Sequence, residues 1–315
     1  MTRHVVVLAG GLSHERDVSL RSGSRLHEAL RATGMEVSLR DTDSDLIGWL
    51  ADAKPDAAII TLHGSRGENG AVQGILEMSG IPYLGTIAQN CRLAYEKNIA
   101  KNLVQRAGFV TPRWMSLSHS TFRDLGAQGL ISLLLSHLGL PLMVKPQHGG
   151  SALGATPVRT AEELPSALVG AFAYGEIAVV EEFVDGVELA ISVVEEGDDI
   201  VALPAVEIAP VSGFFDYESR YTAGLTTYFT PARLDEEVAL RAAELAVGAH
   251  LALGLRDVSR TDAIATPDGQ VHFLEVNVSP GLTETSMLPM SVAESGRDLG
   301  AVYAALVERA IARSM

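Results

Sequence analysis

The sequence predicts an α/β protein of two or three domains, with a parallel sheet covered on both faces in its N-terminal part. Three observations carry that reading. The chain has 315 residues, strand-like runs alternate with helical ones, and a glycine pair turns the chain directly after the first strand. A net charge of −15, from 24 basic and 39 acidic residues, with 47% hydrophobic residues, describes a soluble acidic globule. Affinity for a nucleic-acid backbone or an anionic membrane comes from clustered Lys and Arg, so neither partner is expected.

The apolar run Val5 to Ala9 reads as a buried strand, and Gly10-Gly11 lets the chain turn into a helix over about 17–33, ended by Gly34. Ala57 to Leu62 is the next strand signal, followed by the polar, glycine-rich run His63 to Gly70. In parallel sheets ligands gather where strand C-termini meet loops, and Glu15 and His63 both fall there. A single helix is predicted from Ala88 to Ala107, stopped by Gly108. Strands follow near 140–145, 177–183, 187–194, 200–208, 258–264 and 271–278, with a helix over about 236–253. Boundaries near 96 and 185 divide the chain into 1–96, 97–185 and 186–315.

One cysteine, Cys91, excludes an internal disulfide, and no Cys/His spacing suits zinc. The run at 5–9 is too short for a signal-peptide core, and no stretch approaches the ~20 apolar residues that span a bilayer. A reducing, cytoplasmic setting is expected.

The sharpest chemical signal lies in the last two strands. Alternation puts Arg260 and Asp262 on one face of the first, and Glu275 and Asn277 on one face of the second. Two carboxylates and an amide oxygen are hard ligands suited to Mg²⁺ on nucleotide phosphates. The same spacing fits a half-solvated hairpin with a surface ion pair. The small-residue turn Ser279 to Thr283, able to present backbone N–H groups to an anion, favours the ligand reading. Lys145 closes an apolar strand just before a loop with glycines at 149, 150 and 154, which can approach phosphates closely. It is neither a Walker A loop nor a dinucleotide fingerprint. Taken alone, Lys97 reads as a surface lysine, Glu15 as a helix-dipole partner and His63 as hydrogen-bonded structure. The aromatic stretch around Tyr221 reads as a lid or a packed surface loop.

In order along the whole chain, five stretches resemble the D-alanine–D-alanine ligases of the ATP-grasp superfamily. They are Gly10-Gly11 with His14 to Ser19, Leu62 to Gly64 with Gly67 to Gly70, Tyr217 to Tyr221, Leu274 to Asn277, and Ser279 to Pro289. The resemblance implies a three-domain ATP-grasp fold with an N-terminal parallel-sheet (pre-ATP-grasp) domain, and ATP held between the other two domains. It implies that Lys97, Lys145 and Arg220 meet the ATP phosphates, Glu181 and Val184 read the adenine, and Glu188 holds the ribose. Asp262, Glu275 and Asn277 would bind two Mg²⁺, with Mn²⁺ as a substitute. Arg260 and the Gly281 N–H would stabilise the oxyanion, Glu15 would pair with the ammonium of the first D-alanine, and His63 would lie beside it. Ser151, Tyr221 and Glu15 would close the lid, while Ser286 and the Met287 backbone would receive the second carboxylate. A homodimer supplying the dipeptide for peptidoglycan is implied.

Gly149, Ala152, Phe183, Arg220 and Met287 depart from the usual family residues, which are an acid, serine, tryptophan, lysine and leucine. The nearest alternative is a related ligase joining D-alanine to D-serine, D-lactate or another amino acid. A nucleotide-binding regulator fits less well because Arg260, Asp262, Glu275 and Asn277 are all present. A dehydrogenase fits less well because the first strand-helix turn lacks the dinucleotide fingerprint.

Overall fold

Val5 to Ala9 have no solvent exposure in the computed structural model, which describes residues 3–13, 15–222 and 224–313 apart from the Tyr221 side chain. His14 of the first motif and the side chain of Tyr221 therefore lie outside the described residues. Those five residues belong to β1 (His4–Ala9), which leads into α1 (Arg16–Ala32). Then come β2 (Glu36–Asp41), α2 (Leu46–Ala53), β3 (Ala57–Ile60), α3 (Ser65–Glu68), α4 (Ala71–Met78) and β4 (Tyr83–Leu84). The strands pair in parallel in the order β2-β1-β3-β4, the sheet expected from the alternating pattern.

The predicted single helix over 88–107 is instead two: α5 (Ala88–Tyr95) and α6 (Lys97–Arg106), broken at Glu96, whose backbone is extended at φ −83° and ψ 95°. The buried positions Ala88, Cys91, Ala94, Lys97, Ala100, Lys101 and Val104 keep helical phase across the break, so periodicity conceals it. The break makes Lys97 the first residue of a new helix rather than a mid-helix surface residue.

A second, antiparallel sheet follows. It comprises β5 (Trp114–Ser118), then α7 (His119–Leu125), α8 (Ala127–Leu138), β6 (Leu142–Pro146), β7 (Thr156–Val158), α9 (Leu164–Phe172) and β8 (Ile177–Glu182), with strand order β5-β8-β6-β7. The third sheet is also antiparallel. Its long central strand β9 (Val187–Glu196) carries both β10 (Asp199–Ala202) and β11 (Val206–Pro210) along one edge. One strand was expected over 200–208; Pro204 has no N–H to give, and the chain jogs there into two. After α10 (Tyr217–Tyr221), β12 (Thr226–Phe229) and α11 (Glu236–Ala252) come β13 (Val258–Ala265) and β14 (Val271–Asn277), and the chain ends in α12 (Met287–Glu294) and α13 (Leu299–Ala312).

Two cores fix the relation of these parts. Leu306 and Val307 of α13 join Val5 and Val7 of β1, Leu26 and Leu30 of α1, and Val194 and Val258 of the third sheet in one buried cluster. This places the loops after β1 and β3 over the ends of β13 and β14. Ala100 and Val104 of α6 pack with Leu245 and Phe273 of the third sheet's own core. Among the described residues no helix is long and apolar enough to cross a membrane, and Cys91 is buried and unpaired with another cysteine.

Candidate active site

Strands β13 and β14 set Arg260 opposite Asn277 and Asp262 opposite Glu275, with a register irregularity immediately after Asp262. The four side chains that alternation placed on two faces thus form one polar cluster. Arg260 donates to both oxygens of Asp262, Nε to Oδ1 at 2.7 Å and Nη2 to Oδ2 at 2.8 Å. Asn277 Oδ1 accepts from the Ser279 N–H at 2.8 Å, which orients its amide at the head of the turn.

Burial would raise the pKa of Glu275, but Lys97, Lys145 and Arg220 outweigh it and hold the carboxyl down at about 2. Lys97 Nζ lies 3.2 Å from Glu275 Oε2 and donates to the Gly149 carbonyl at 2.8 Å, so it ties β14 to the glycine loop. Arg260 is held in its charged form, because Asp262 and Glu275 outweigh its burial. Two carboxylates facing each other in register beside an amide oxygen fit a hard divalent cation, since all the donors are oxygens and the surrounding cations hold Glu275 ionised.

Two cavities meet at this cluster. One, of about 1000 Å³, is lined by Glu15, His63, Ser151, Arg260, Asn277, Gly281, Ser286 and Met287. The other, of about 1040 Å³, is lined by Lys145, Glu181, Val184, Glu188 and Asp262, with apolar walls from Met143, Phe183, Ile264 and Leu274. Lys97, Arg220 and Glu275 border both. Every predicted site residue whose side chain is described lines one cavity or both.

In the first cavity, Ser151 Oγ donates to Glu15 Oε1 at 2.6 Å, joining the glycine loop to the first strand-helix turn. Ser151 and Ala152 both have left-handed backbones, at φ 55° and 56°, in a conformation usually left to glycine. Gly64, at φ 63°, leaves the space Glu15 needs, since a Cβ there would sit 2.5 Å from Glu15 Oε2. His63 is buried between Ser22 Oγ at 3.3 Å and the Ser279 carbonyl at 3.1 Å, and burial lowers its pKa, so it is neutral. Ser286 Oγ accepts from the Thr283 N–H at 3.0 Å, closing the turn just before α12.

In the second cavity, Lys145 Nζ is 2.6 Å from Glu181 Oε1 and Lys101 Nζ is 2.7 Å from Oε2. The Glu181 side chain is therefore spoken for by two lysines. Burial pushes the Glu188 carboxyl up to about 7, with Arg220 opposing. The Arg220 guanidinium stacks 4.1 Å from the Phe215 ring centre.

Three contributors were not read from the sequence. Lys101 follows Lys97 by one helical turn on the buried face. Glu68 stands within a quoted motif; it accepts from the Gly64 N–H at 2.7 Å, and burial with the nearby Glu15 lifts its carboxyl to about 8. Phe215 borders both cavities and was quoted only as part of an aromatic stretch.

Comparison with known proteins agrees on one family. Residues 103–311 match the family model described as D-ala D-ala ligase C-terminus. A D-alanine–D-alanine ligase of Nitratidesulfovibrio vulgaris (strain DP4) is 42% identical over 306 residues, covering 96% of this chain and 97% of the relative. One from Anaeromyxobacter sp. (strain Fw109-5) is 38% identical over 307 residues, covering 98% and 95%. Among solved structures, the ATP complex of the D-alanine–D-alanine ligase from Bacillus anthracis superposes with a TM-score of 0.83 at 27% identity, covering 99% of each chain. The D-Ala:D-Ser ligase of Enterococcus faecalis gives 0.81 at 28% identity over the whole of both chains.

Proposed function

The chain belongs to the D-alanine–D-alanine ligase family, and from that premise we propose that it joins two D-alanine molecules, at the expense of ATP, into the dipeptide used for peptidoglycan precursors. The observation that carries the proposal is the meeting of two cavities at Lys97, Arg220 and Glu275, an arrangement that would let a nucleotide in one face an amino acid in the other.

The apolar walls at Met143, Phe183, Ile264 and Leu274 suit an adenine ring, with Glu181 and Val184 at its edge and Glu188 near the ribose. Lys97, Lys145 and Arg220 then face the phosphates and offset their charge. Asp262, Glu275 and Asn277 would hold Mg²⁺, two ions in this reading, and the metal bound there would neutralise charge on the nucleotide phosphates. Arg260 is paired with Asp262 in the structure; were Asp262 to hold a cation, the guanidinium would be available to the reacting carboxylate.

Glu15 pairs with the ammonium of the first D-alanine and leaves its carboxylate directed at the γ-phosphoryl group. Transfer of that group gives an acyl phosphate. The amine of the second D-alanine, its carboxylate at Ser286 and Met287, attacks the carbonyl carbon. Arg260 and the Gly281 N–H stabilise the oxyanion and phosphate leaves. The Ser151–Glu15 contact, with Tyr221 on the lid, excludes water that would hydrolyse the acyl phosphate. The three-domain division at 96 and 185, a cytoplasmic location and a homodimer belong to the same reading.

A product assay by mass with ATP, Mg²⁺ and D-alanine as the sole amino acid tests it. D-alanyl-D-alanine with one ADP per dipeptide is expected. Product only when D-serine or D-lactate is added would transfer the chain to the related ligases.

A further inference from the structure

Lys101 is the largest fully buried side chain among the described residues, on a helix face it shares with Lys97, Ala100 and Val104. A buried lysine is costly, and here burial outweighs Glu181 and brings its pKa down to about 8. A leucine would fill such a position without that cost. The lysine nevertheless has two polar partners. Its Nζ lies 2.7 Å from Glu181 Oε2 and donates to Thr111 Oγ1 at 2.8 Å, and Thr111 Oγ1 in turn donates to the Phe273 carbonyl at 2.9 Å. Lys101 does not line the nucleotide cavity, whereas its two neighbours, Glu181 and Lys145, do.

We propose that Lys101 is a positioning residue for the nucleotide phosphates: by occupying the far oxygen of Glu181, it leaves the positive charge of Lys145 uncancelled at the cavity wall. With Lys145 alone, Glu181 would form a neutral pair, and a neutral pair attracts a triphosphate weakly. With two lysines on one carboxylate, 2.6 Å and 2.7 Å away on opposite oxygens, the trio carries one net positive charge. That charge emerges at Lys145, because Lys101 has no exposed surface. The anchor through Thr111 to β14 fixes Lys101 against the strand that carries Glu275, so the trio and the carboxylate cluster share one rigid support.

This inference rests on the reading of the second cavity as a nucleotide site. Its test compares the affinities of ATP and adenosine, measured by calorimetry on the full chain with Mg²⁺. Lys101→Met removes one charge and is expected to weaken ATP about tenfold while leaving adenosine within about twofold. Glu181→Gln adds one net charge and is expected to raise the ratio of ATP to adenosine affinity. Combining both substitutions returns the trio to one positive charge, and the ratio is expected to return to the wild-type value. Equal losses for ATP and adenosine in Lys101→Met, the signature of a purely structural lysine, would overturn the proposal. So would an unmoved ratio in Glu181→Gln, which decides the matter even where Lys101→Met does not fold. Absence of ATP binding by the wild type would overturn the nucleotide reading itself, and the proposal with it.

Discussion

Replacing Glu275 by glutamine keeps the side chain's shape and removes one charge from the centre of the site. The Glu275 pKa falls from the usual 4.5 to about 2 because Lys97, Lys145 and Arg220 favour the ionised form more than burial opposes it. At about 1.4 kcal/mol per pH unit this amounts to roughly 3.5 kcal/mol, or about three hundredfold. The sign follows from the direction: a lowered carboxylate is ionised at every pH above about 4.5, and its contribution is lost only as the pH falls toward 2. Glu275→Gln therefore acts at neutral pH, where it removes one of two facing carboxylates and releases Lys97 from its 3.2 Å partner. Phosphate release with D-alanine should fall at least a hundredfold in kcat/KM, and the Mg²⁺ concentration for half-maximal rate should rise. The folding midpoint should fall as well, because by the same linkage the ionised carboxylate stabilises the folded state at neutral pH and its loss leaves the buried Lys97 and Lys145 without it. A variant within threefold of wild-type kcat/KM, with unchanged Mg²⁺ dependence, would refute the assignment of this carboxylate to the cation.

Glu15→Gln should raise the KM for D-alanine in the first site while leaving the KM for ATP unchanged; an effect on ATP alone would remove the ammonium contact. Glu188, held neutral below about 7 by burial, should make the KM for ATP rise as pH falls through 7. Glu188→Gln should flatten that profile, and an unchanged inflection would assign it elsewhere. Asp257 is fully buried; it takes both Arg313 amino groups at 2.6 and 2.7 Å and the Gly85 N–H at 2.7 Å. Asp257→Asn should cost about 3 kcal/mol in urea unfolding. Asparagine tolerates the φ of 64° found there, so the loss would report the charge, and a change below about 0.5 kcal/mol would contradict it.

What could be read from the sequence divides along physical lines. The carboxylate cluster was visible because strand alternation is strict: Arg260, Asp262, Glu275 and Asn277 fall on predictable faces, and the register then sets them opposite one another. The parallel N-terminal sheet was visible because its first strand is uniformly apolar. The break at Glu96 was hidden because no proline or glycine marks it and the buried positions stay in helical phase across it. α13 went unassigned, although it joins the first and third sheets into one core. Lys101 was invisible for a different reason. Its residue type suggests a surface position although its helical phase is that of the buried stripe, and the approach of Glu181 from another sheet supplies the partner for its buried charge. Likewise nothing in the glycine loop announces that Ser151 takes a left-handed backbone to reach Glu15, a contact between residues 136 positions apart.

The most direct measurement follows oxygen. With D-alanine labelled by ¹⁸O in its carboxylate, transfer of the γ-phosphoryl group to that carboxylate and its departure from the carbonyl carbon must carry one labelled oxygen into each phosphate released. Mass spectrometry should find one ¹⁸O per inorganic phosphate, in step with D-alanyl-D-alanine. Dipeptide accompanied by unlabelled phosphate would contradict an acyl phosphate at this site.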